Sequence, residues 1–243
     1  MRMDKFGLIG ESLGHSFSKV FFNHYFAERK IQASYDNIEL LRIQDIIEIF
    51  QKDYSGFNVT IPYKETIIPF LTEIDEVAKN IGAVNVVAVI GDKKIGYNTD
   101  AYGFQQSIKP FLSNKHERCM IFGTGGASKA ISYVLKTLGI DVIFISRNPK
   151  LKNEFSYDEI NENMINACKL LVNCTPVGTF PNIDDQIDIP YQFLTESHLV
   201  VDLIYNPQKT MFLERSEEKG AMILNGESML RHQALKSWEI WNQ

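Results

Sequence analysis

The sequence is poor in cysteine and has no long apolar run. Its 243 residues include three cysteines, Cys119, Cys168 and Cys174, and none of them forms a CxxC pair. This number and spacing argue against a disulfide framework, so we interpret the cysteines as reduced, buried packing residues. The sequence also lacks the roughly eighteen consecutive apolar residues of a transmembrane helix, and its first apolar stretch is too short for a signal peptide. We therefore expect a cytoplasmic protein that does not associate with membranes.

Positive charge is also scarce. Lys and Arg number 25 against 30 Asp and Glu, which gives a net charge of −5, and no long basic run occurs. Because nucleic-acid binders need a surplus of basic residues to neutralise phosphates, we expect no nucleic-acid partner. The five histidines show no ligand spacing such as HExxH, so we predict no metal. The composition is that of a globular protein and favours small-molecule partners.

Short apolar runs alternate with helical patterns along the chain. In the first part, predicted strands over 6–9, 35–40 and 56–61 alternate with helices over 17–27 and 43–50, and a hairpin follows over 84–97. In the second part, a helix over 100–111 precedes strands over 118–122, 142–145, 170–173, 199–203 and 221–224, with helices over 127–138 and 209–219 between them. This β-α-β alternation predicts parallel sheets.

We therefore predict an α/β protein with two domains. Residues 1–99 together with 227–243 are expected to form an N-terminal substrate-binding α/β sandwich, and residues 100–226 a Rossmann-type, doubly wound dinucleotide-binding domain. The helical pattern over 228–241 follows the last predicted strand without a linker, so we expect this C-terminal helix to return to the first domain.

A glycine-rich loop lies between a predicted strand and a predicted helix. Its sequence is Gly123-Thr124-Gly125-Gly126-Ala127-Ser128, and such a loop lets backbone N–H groups approach a pyrophosphate at the helix end. The sixth position is Ser128 rather than glycine, so an ordinary glycine-rich turn remains an alternative. After the next strand, Ser146 and Arg147 stand where an NAD enzyme carries a carboxylate, which favours NADP; Lys150 could add a second cation, and Arg147 could also be a solvated loop residue.

Lys64 and Asp100 are the catalytic candidates. We expect Pro62 to open a helix, which places Lys64 in a first turn where its charge opposes the helix dipole, a hint of function. A surface lysine is the competing interpretation. Asp100 follows a predicted strand, although it or Thr99 could merely cap the next helix.

Together with other segments, these residues closely resemble the shikimate dehydrogenase family over nearly the whole chain. The segments that carry the resemblance are Gly14-His15-Ser16-Phe17-Ser18, Asn58-Val59-Thr60-Ile61-Pro62-Tyr63-Lys64, Gly82-Ala83-Val84-Asn85, Asn98-Thr99-Asp100, Gly123 to Ser128, Asn173-Cys174-Thr175-Pro176-Val177-Gly178, Asp202-Leu203-Ile204-Tyr205-Asn206-Pro207, and Gly226 with Met229, Leu230 and Gln233. In combination these motifs are highly specific.

The resemblance implies an oxidoreductase that reversibly reduces 3-dehydroshikimate to shikimate with NADPH, in chorismate and aromatic amino acid biosynthesis, and that works as a monomer or homodimer. It assigns catalysis to Lys64 and Asp100. It assigns substrate binding to Ser16, Ser18, Thr60, Asn85, Tyr205 and Gln233. It assigns NADP binding to Gly123, Gly125, Gly126, Ala127, Ser128, Ser146, Arg147, Thr175, Gly226 and Met229.

Simpler interpretations of single residues remain open. Ser16 or Ser18 could cap a helix, Asn85 could be a turn residue, and Gln233 could be an exposed helical residue. His15, next to Ser16, is expected to make a structural hydrogen bond.

The chain departs from the family pattern at two places. Lys19 stands where proline is usual, which changes the expected helix start and adds a cation near the carboxylate-binding serines. Ser146-Arg147-Asn148 replaces a common Asn-Arg-Thr, which keeps the arginine but weakens the case for strict NADP use.

Three other functions compete with this hypothesis. One is a paralogue that reduces quinate-type substrates or uses NAD, and another is a non-catalytic nucleotide-sensing protein of the same fold. The third is a hydrolase, because Gly10-Glu11-Ser12-Leu13-Gly14 matches a nucleophile elbow. Too few residues precede Gly10 to build the oxyanion hole of such an enzyme, so we consider the hydrolase the weakest of the three.

Overall fold

The structure is a computed structural model that describes residues 3–14 and 16–243. It divides into two compact units, one formed by Met1–Tyr102 with Gln233–Gln243 and the other by Gly103–His232. No helix within the described residues is long and apolar enough to span a membrane.

The first unit contains a mixed six-stranded sheet. Its elements are β1 Asp4–Gly10, α1 Phe17–Arg29, β2 Ala33–Glu39, α2 Ile46–Phe50, β3 Gly56–Val59, β4 Glu73–Ile74, α3 Glu76–Ile81, β5 Val86–Ile90, β6 Lys93–Tyr97 and the first residues of α4 Thr99–Ile108. The strand order is β2-β1-β3-β5-β6-β4. β1 pairs in parallel with β2 and β3, whereas β5 is antiparallel to both β3 and β6. The predicted hairpin is therefore confirmed, and β5 is the antiparallel strand of an otherwise parallel sheet.

Helices cover both faces of this sheet. Phe6 of β1 packs with Phe22 and Phe26 of α1 on one face. Ile9 of the same strand packs with Ile46 of α2 on the other face, because successive side chains of a strand point to opposite sides. The alternation of apolar residues in β1 thus produces the predicted α/β sandwich.

The second unit contains a six-stranded, all-parallel sheet. Its elements are β7 Arg118–Phe122, α5 Gly126–Thr137, β8 Asp141–Ile145, β9 Glu154–Phe155, α6 Glu162–Ala167, β10 Leu170–Asn173, β11 Leu199–Asp202, α7 Met211–Glu218 and β12 Met222–Leu224. The strand order is β12-β11-β10-β7-β8-β9, and every pair of neighbours is parallel. The order reverses between β7 and β10, where doubly wound sheets bind their ligands.

The last helix, α8, spans Glu227–Trp241. Its residues from Gln233 onward belong to the first unit, and Ala234 packs there with Phe6. The earlier residues of α8 belong to the second unit, so Met229 lies in the second unit rather than in the first, where the expected boundary at 227 had placed it.

Two local expectations differ from the structure. Residues 61–67 form turns, and the first helical residues after Pro62 are the 3₁₀ turn Ile68–Phe70, so Lys64 does not stand in the first turn of a helix. All three cysteines were expected to be buried, but only Cys119 and Cys168 are, whereas Cys174 is partly exposed.

Candidate active site

Lys64 and Asp100 form an ion pair in the first unit. The Lys64 Nζ lies 2.5 Å from Asp100 Oδ2, and the two side chains are 16% and 8% exposed. This low exposure distinguishes the pair from surface ion pairs, which are screened by water. The structure therefore brings together the two residues that the sequence proposed as catalytic.

The edge of the sheet explains why these residues meet. β3 and β6 end at this edge, and β5 begins there because it runs antiparallel to both. Thr60 follows β3, Asn85 precedes β5, and Asp100 follows β6. Three segments far apart in sequence thus place polar side chains at a common edge.

The turn that carries Lys64 is held by its neighbours. The Lys64 carbonyl accepts a hydrogen bond from Val84 N at 2.7 Å. Tyr63 is buried and donates its hydroxyl to the Leu40 carbonyl at 2.5 Å. Ile67, which is fully buried, closes the turn by donating its N–H to the Tyr63 carbonyl. These anchors fix the backbone of Lys64 although no helix supports it.

Asn98 caps the helix that carries Asp100. Its Oδ1 accepts from Ala101 N at 3.2 Å, and its Nδ2 donates to the Ala83 carbonyl at 2.9 Å. The capping role considered for Thr99 or Asp100 therefore belongs to Asn98. The Asp100 carboxylate is left for Lys64 and Asn85.

Asn85 connects Asp100 to the residues around it. Its Nδ2 donates to Asp100 Oδ1 at 2.8 Å and approaches Thr99 Oγ1 at 3.1 Å, while its Oδ1 accepts from Thr99 N at 2.7 Å. Gln233 Oε1 lies 3.4 Å from both Asn85 Nδ2 and Thr99 Oγ1. Gln233 is buried, so it is not the exposed helical residue of the simpler interpretation. Asn85 does lie in the bend before β5, but its buried side chain also bonds Asp100.

The two candidate carboxylate-binding serines lie at the start of α1. Ser16 is the N-cap, and its Oγ accepts from Lys19 N at 3.3 Å, so the capping interpretation holds for Ser16 and Lys19 takes part through its backbone. Ser18 is buried beside the Tyr35 hydroxyl as a hydrogen-bond partner. His15 and the expectation attached to it lie outside the described residues.

Three further candidate residues, Thr60, Ser12 and Tyr205, differ in exposure. Thr60 is partly exposed at the end of β3, close to Gly10. Ser12, the nucleophile of the hydrolase alternative, is exposed in the loop after β1, and no histidine in the described part of the chain bonds to it. Tyr205 is partly exposed and belongs to the second unit, where it follows β11.

The glycine-rich loop of the second unit fits a dinucleotide. Gly123 adopts φ +97°, and a Cβ there would stand 3.0 Å from Thr175 Cγ2, so the loops after β7 and β10 meet where the strand order reverses. Gly125 is the N-cap of α5, and no side chain caps this helix or adds an acid to its first turn. A Cβ on Gly125 would meet nothing within 4 Å. The free amides and open space at this helix end suit a pyrophosphate.

Ala127 and Ser128 continue the loop into α5. Ser128 is fully buried, and its Oγ has no hydrogen-bond partner among the described residues. Ser128 therefore packs in the first turn of α5. The third glycine of the usual pattern stands at this position and allows the helix to approach the strand closely.

Ser146 and Arg147 follow β8, next to the loop after β7. Ser146 Oγ accepts from Asn148 N at 3.2 Å, and Arg147 is exposed. Within the described residues, Arg147 forms no ion pair. A guanidinium in this position suits a 2′-phosphate better than a 2′-hydroxyl.

Thr175, Gly226 and Met229 have structural roles of their own. Thr175 Oγ1 donates to Asn173 Oδ1 at 2.7 Å. A Cβ on Gly226 would stand 2.0 Å from the Leu203 carbonyl oxygen, so this close approach requires glycine, and Met229 is buried. Close packing against Leu203 is enough to explain why residue 226 is glycine. Thr175, in the loop after β10, lies next to Gly123.

Two polar residues of the first unit, Asn58 and Ser237, were not predicted as part of the site. Asn58 and Ser237 are buried and hydrogen-bonded to each other at 3.0 Å, and Ser237 also lies 3.2 Å from Thr99. Asn58 opens one of the segments that carry the family resemblance, and it is a polar residue within a predicted strand; these two signals could have singled it out. The described residues contain no group of three or more His, Cys, Asp or Glu arranged for a metal ion.

Comparison with known proteins assigns the family. Residues 8–87 match the model described as the shikimate dehydrogenase substrate binding domain. The chain is 41% identical to shikimate dehydrogenase (NADP(+)) from Clostridium botulinum strain Hall, over 97% of this chain and 95% of that protein. The chain belongs to the shikimate dehydrogenase family. The resemblance that the motifs carried is thereby confirmed over almost the full length.

Solved structures of this family share the fold. Shikimate dehydrogenase from Aquifex aeolicus superimposes with a TM-score of 0.88 at 33% identity, covering 99% of this chain and 92% of that one. Shikimate 5-dehydrogenase from Thermus thermophilus, solved in complex with NADP(H) and shikimate, gives a TM-score of 0.85 at 26% identity, covering 98% and 93%. The α/β class and the Rossmann-type second sheet are confirmed.

Proposed function

We propose that this protein is an NADP-dependent shikimate dehydrogenase that reversibly reduces 3-dehydroshikimate to shikimate, a step of chorismate and aromatic amino acid biosynthesis. The observation that carries the proposal is the shielded Lys64–Asp100 ion pair, surrounded by the neutral polar side chains of Asn85, Thr99 and Gln233. The names of the relatives from Clostridium and Aquifex support the same activity.

The chemistry requires a proton donor beside the ketone of the substrate. NADPH, held by the glycine-rich loop of the second unit, would supply the hydride for the carbonyl carbon. The ammonium of Lys64 stabilises the negative charge that develops on the carbonyl oxygen and transfers its proton there, after which solvent returns a proton to the amine. In shikimate oxidation the same groups act in reverse.

Asp100 orients Lys64 through one carboxylate oxygen. Its other oxygen accepts from Asn85, so both oxygens are directed and the carboxylate cannot rotate freely. We assign to Asp100, Asn85, Thr60 and Gln233 the binding of the ring hydroxyls. The Nε2 of Gln233 forms no hydrogen bond with the described residues, and this donor is free for such a hydroxyl.

Ser16 is the proposed donor to the substrate carboxylate, with Ser18 and Tyr205 as further contacts. Ser16 Oγ accepts a backbone N–H, which leaves its own hydrogen to donate. Its place at the N-terminus of α1, a 13-residue helix with no acid in its first turn, also favours an anion.

The second unit is the proposed NADP-binding domain and the first the substrate domain. Gly123, Gly125, Gly126, Ala127 and Ser128 would hold the pyrophosphate, and Ser146 with Arg147 the 2′-phosphate; Thr175, Gly226 and Met229 complete the proposed set. We further propose a cytoplasmic location, which suits a chain with only three cysteines, and a monomer or homodimer.

The first test is the absorbance of reduced nicotinamide after the purified protein is mixed with shikimate and NADP, beside parallel mixtures with NAD and with quinate. We expect rapid NADPH formation from shikimate and NADP alone. Preference for quinate or NAD would replace the proposal by the paralogue, and absence of activity in every mixture would favour the nucleotide-sensing protein.

The second test is Lys64→Ala. We expect kcat to fall by roughly a hundredfold or more, because the general acid is lost, with a smaller change in the KM for shikimate. The matched control is Lys79→Ala, which removes an exposed lysine of α3 in the same unit. If Lys64→Ala keeps the turnover of this control, the assignment of Lys64 is wrong.

A further inference from the structure

A buried chain of hydrogen bonds continues from the proposed catalytic pair into the core of the first unit. Its members beyond Asn85 are Thr99, Ser237, Asn58 and Tyr35, which are 1%, 0%, 4% and 1% exposed. They come from α4, α8, β3 and β2. Four elements of the unit therefore meet through polar side chains rather than apolar ones.

The direction of these bonds follows from counting hydrogens. Tyr35 donates its hydroxyl to Asn58 Oδ1 at 2.7 Å, and burial raises the pKa of Tyr35 well above its ordinary value, so the hydroxyl remains a donor. With Oδ1 of Asn58 thus fixed as the acceptor, its Nδ2 donates to Ser237 Oγ at 3.0 Å and to the Asn85 carbonyl at 3.3 Å. Tyr35 thereby fixes the orientation of the Asn58 amide.

Ser237 transmits this orientation to Thr99. Its single hydrogen is donated to the Gln233 carbonyl at 2.8 Å, so its oxygen accepts from Asn58 and, at 3.2 Å, from the Thr99 hydroxyl. Ser237 Oγ is the nearest of three acceptors around the Thr99 hydroxyl, before Asn85 Oδ1 at 3.3 Å and Gln233 Oε1 at 3.4 Å. Donation to Ser237 leaves the Thr99 oxygen to accept from Asn85 Nδ2. This acceptor adds to the Thr99 N–H, which donates to Asn85 Oδ1 at 2.7 Å, in holding the Asn85 nitrogen rather than its oxygen toward Asp100.

Packing does not account for this set. Buried polar groups are costly unless they are fully satisfied, and apolar residues would fill the same space without that requirement. A serine bonded to the carbonyl four residues earlier also weakens a helix slightly. Such a network therefore needs a role beyond filling the core.

We propose that Ser237 and Asn58 are positioning residues, which orient Asn85 through Thr99 so that Asp100 holds the Lys64 ammonium in the reactive geometry. This inference rests on the proposed function. Neither residue has to touch the substrate, and both act through the Asp100 carboxylate.

The test compares Ser237→Ala with Ser216→Ala. Ser216 is the matched control, because it is also fully buried in a helix and donates to the carbonyl four residues earlier, at 2.7 Å from Phe212 O, but lies in α7 of the second unit. We expect Ser237→Ala to lower kcat for shikimate oxidation about tenfold relative to the control, the effect of one lost hydrogen bond, with an unchanged KM for NADP.

A double-mutant cycle separates positioning from a general structural effect. In the Asp100→Asn background, Ser237→Ala should lower the residual kcat no further, because the residue through which it acts has lost its charge. Thr99→Val removes the same hydroxyl bond from the other side, so it should reproduce the loss and should not add to Ser237→Ala. This second variant keeps the test informative if Ser237→Ala folds poorly.

Two results would overturn the inference: a kcat of Ser237→Ala within twofold of the Ser216→Ala value, or an equal loss in the Asp100→Asn background. Failure of the proposed function is a different result, since the unmodified protein would then not oxidise shikimate with NADP at all.

Discussion

The two oxygens of Asp100 have different partners, and this makes the residue sensitive to a change of one atom. Asp100→Asn keeps the size of the side chain but removes the charge that holds Lys64 Nζ at 2.5 Å. We expect kcat to fall roughly a hundredfold or more, because the ammonium loses the group that directs it. Steady-state kinetics with shikimate and NADP measure this, and Asp92→Asn, at an exposed hairpin residue, is the control. A kcat within threefold of the control would refute the role.

Asp202 is a second buried carboxylate, in the second unit, and it predicts a pH dependence of stability. Burial raises the pKa of Asp202 to about 6, although Thr210, Ile204 N and Asn173 donate hydrogen bonds to it. Between about pH 4 and 6 the folded state thus binds more protons here than the unfolded chain. The free energy of unfolding therefore falls as the pH rises through this window, by up to roughly 3 kcal/mol.

Asp202→Asn tests this contribution, because asparagine resembles the protonated acid and does not titrate. Urea unfolding of both proteins at pH 4.5 and 7.5 measures it. Relative to the variant, the unmodified protein should be less stable at pH 7.5 than at pH 4.5. A difference that does not change with pH would contradict the prediction.

Single residues also mark what the sequence could and could not predict about the site. Lys64, Asp100, Asn85 and Gln233 were identified from motifs, and the structure brings them together. The physical argument for Lys64 was nevertheless wrong, because no helix begins at Pro62. Ser237 was not identified, since a lone serine in a helical pattern gives no sign of which residue will face it in the fold.

At the scale of elements, α8 is fixed to the sheet by a tryptophan that lies over a glycine. Trp241 donates its Nε1–H to the Val87 carbonyl at 3.1 Å and stacks on Phe6 at 4.6 Å between ring centroids. A Cβ on Gly56 would stand 2.3 Å from Trp241 Nε1. The absence of a side chain at the start of β3 is therefore what lets the helix end approach.

Gly56→Ala should displace the indole and destabilise the first unit by about 1–3 kcal/mol, the usual range for overpacking. Urea unfolding followed by tryptophan fluorescence measures both effects. Gly14→Ala is the control, because a Cβ there meets nothing within 4 Å. Equal stabilities of the two variants would show that α8 does not depend on this contact.

Elements with strong local patterns were predicted well. The predicted strands 118–122 and 170–173 agree with β7 and β10 to the residue, because continuous apolar runs of that length suit buried parallel strands. The two-residue strand β9 and the short helix α6 were not predicted. Elements this short have too few residues to show a hydrophobic periodicity, so whether they form depends on tertiary contacts that the sequence pattern does not reveal.

At the scale of the whole molecule, each unit has its own core. With the exception of Tyr205, the proposed substrate contacts lie in the first unit and the proposed NADP contacts in the second. Hydrogen exchange should therefore respond separately to the two ligands. We expect shikimate to slow exchange in the segments around Ser18, Lys64 and Asp100, and NADP to slow it around 123–128 and 173–178. Shikimate protection confined to the second unit would contradict the assignment of the substrate residues. Exchange without any ligand is the reference.

The division of the chain has a consequence for its synthesis. Gln233–Gln243 complete the first unit, although residues 103–232 precede them in the chain. Domains generally fold as they leave the ribosome, the N-terminal one first. Here the earlier unit has to wait, because Ser237 and Trp241 are translated after the later one. A nascent chain that stalls within residues 103–232 therefore lacks the proposed contribution of Ser237, and we expect shikimate to stabilise the chain only after translation has passed α8.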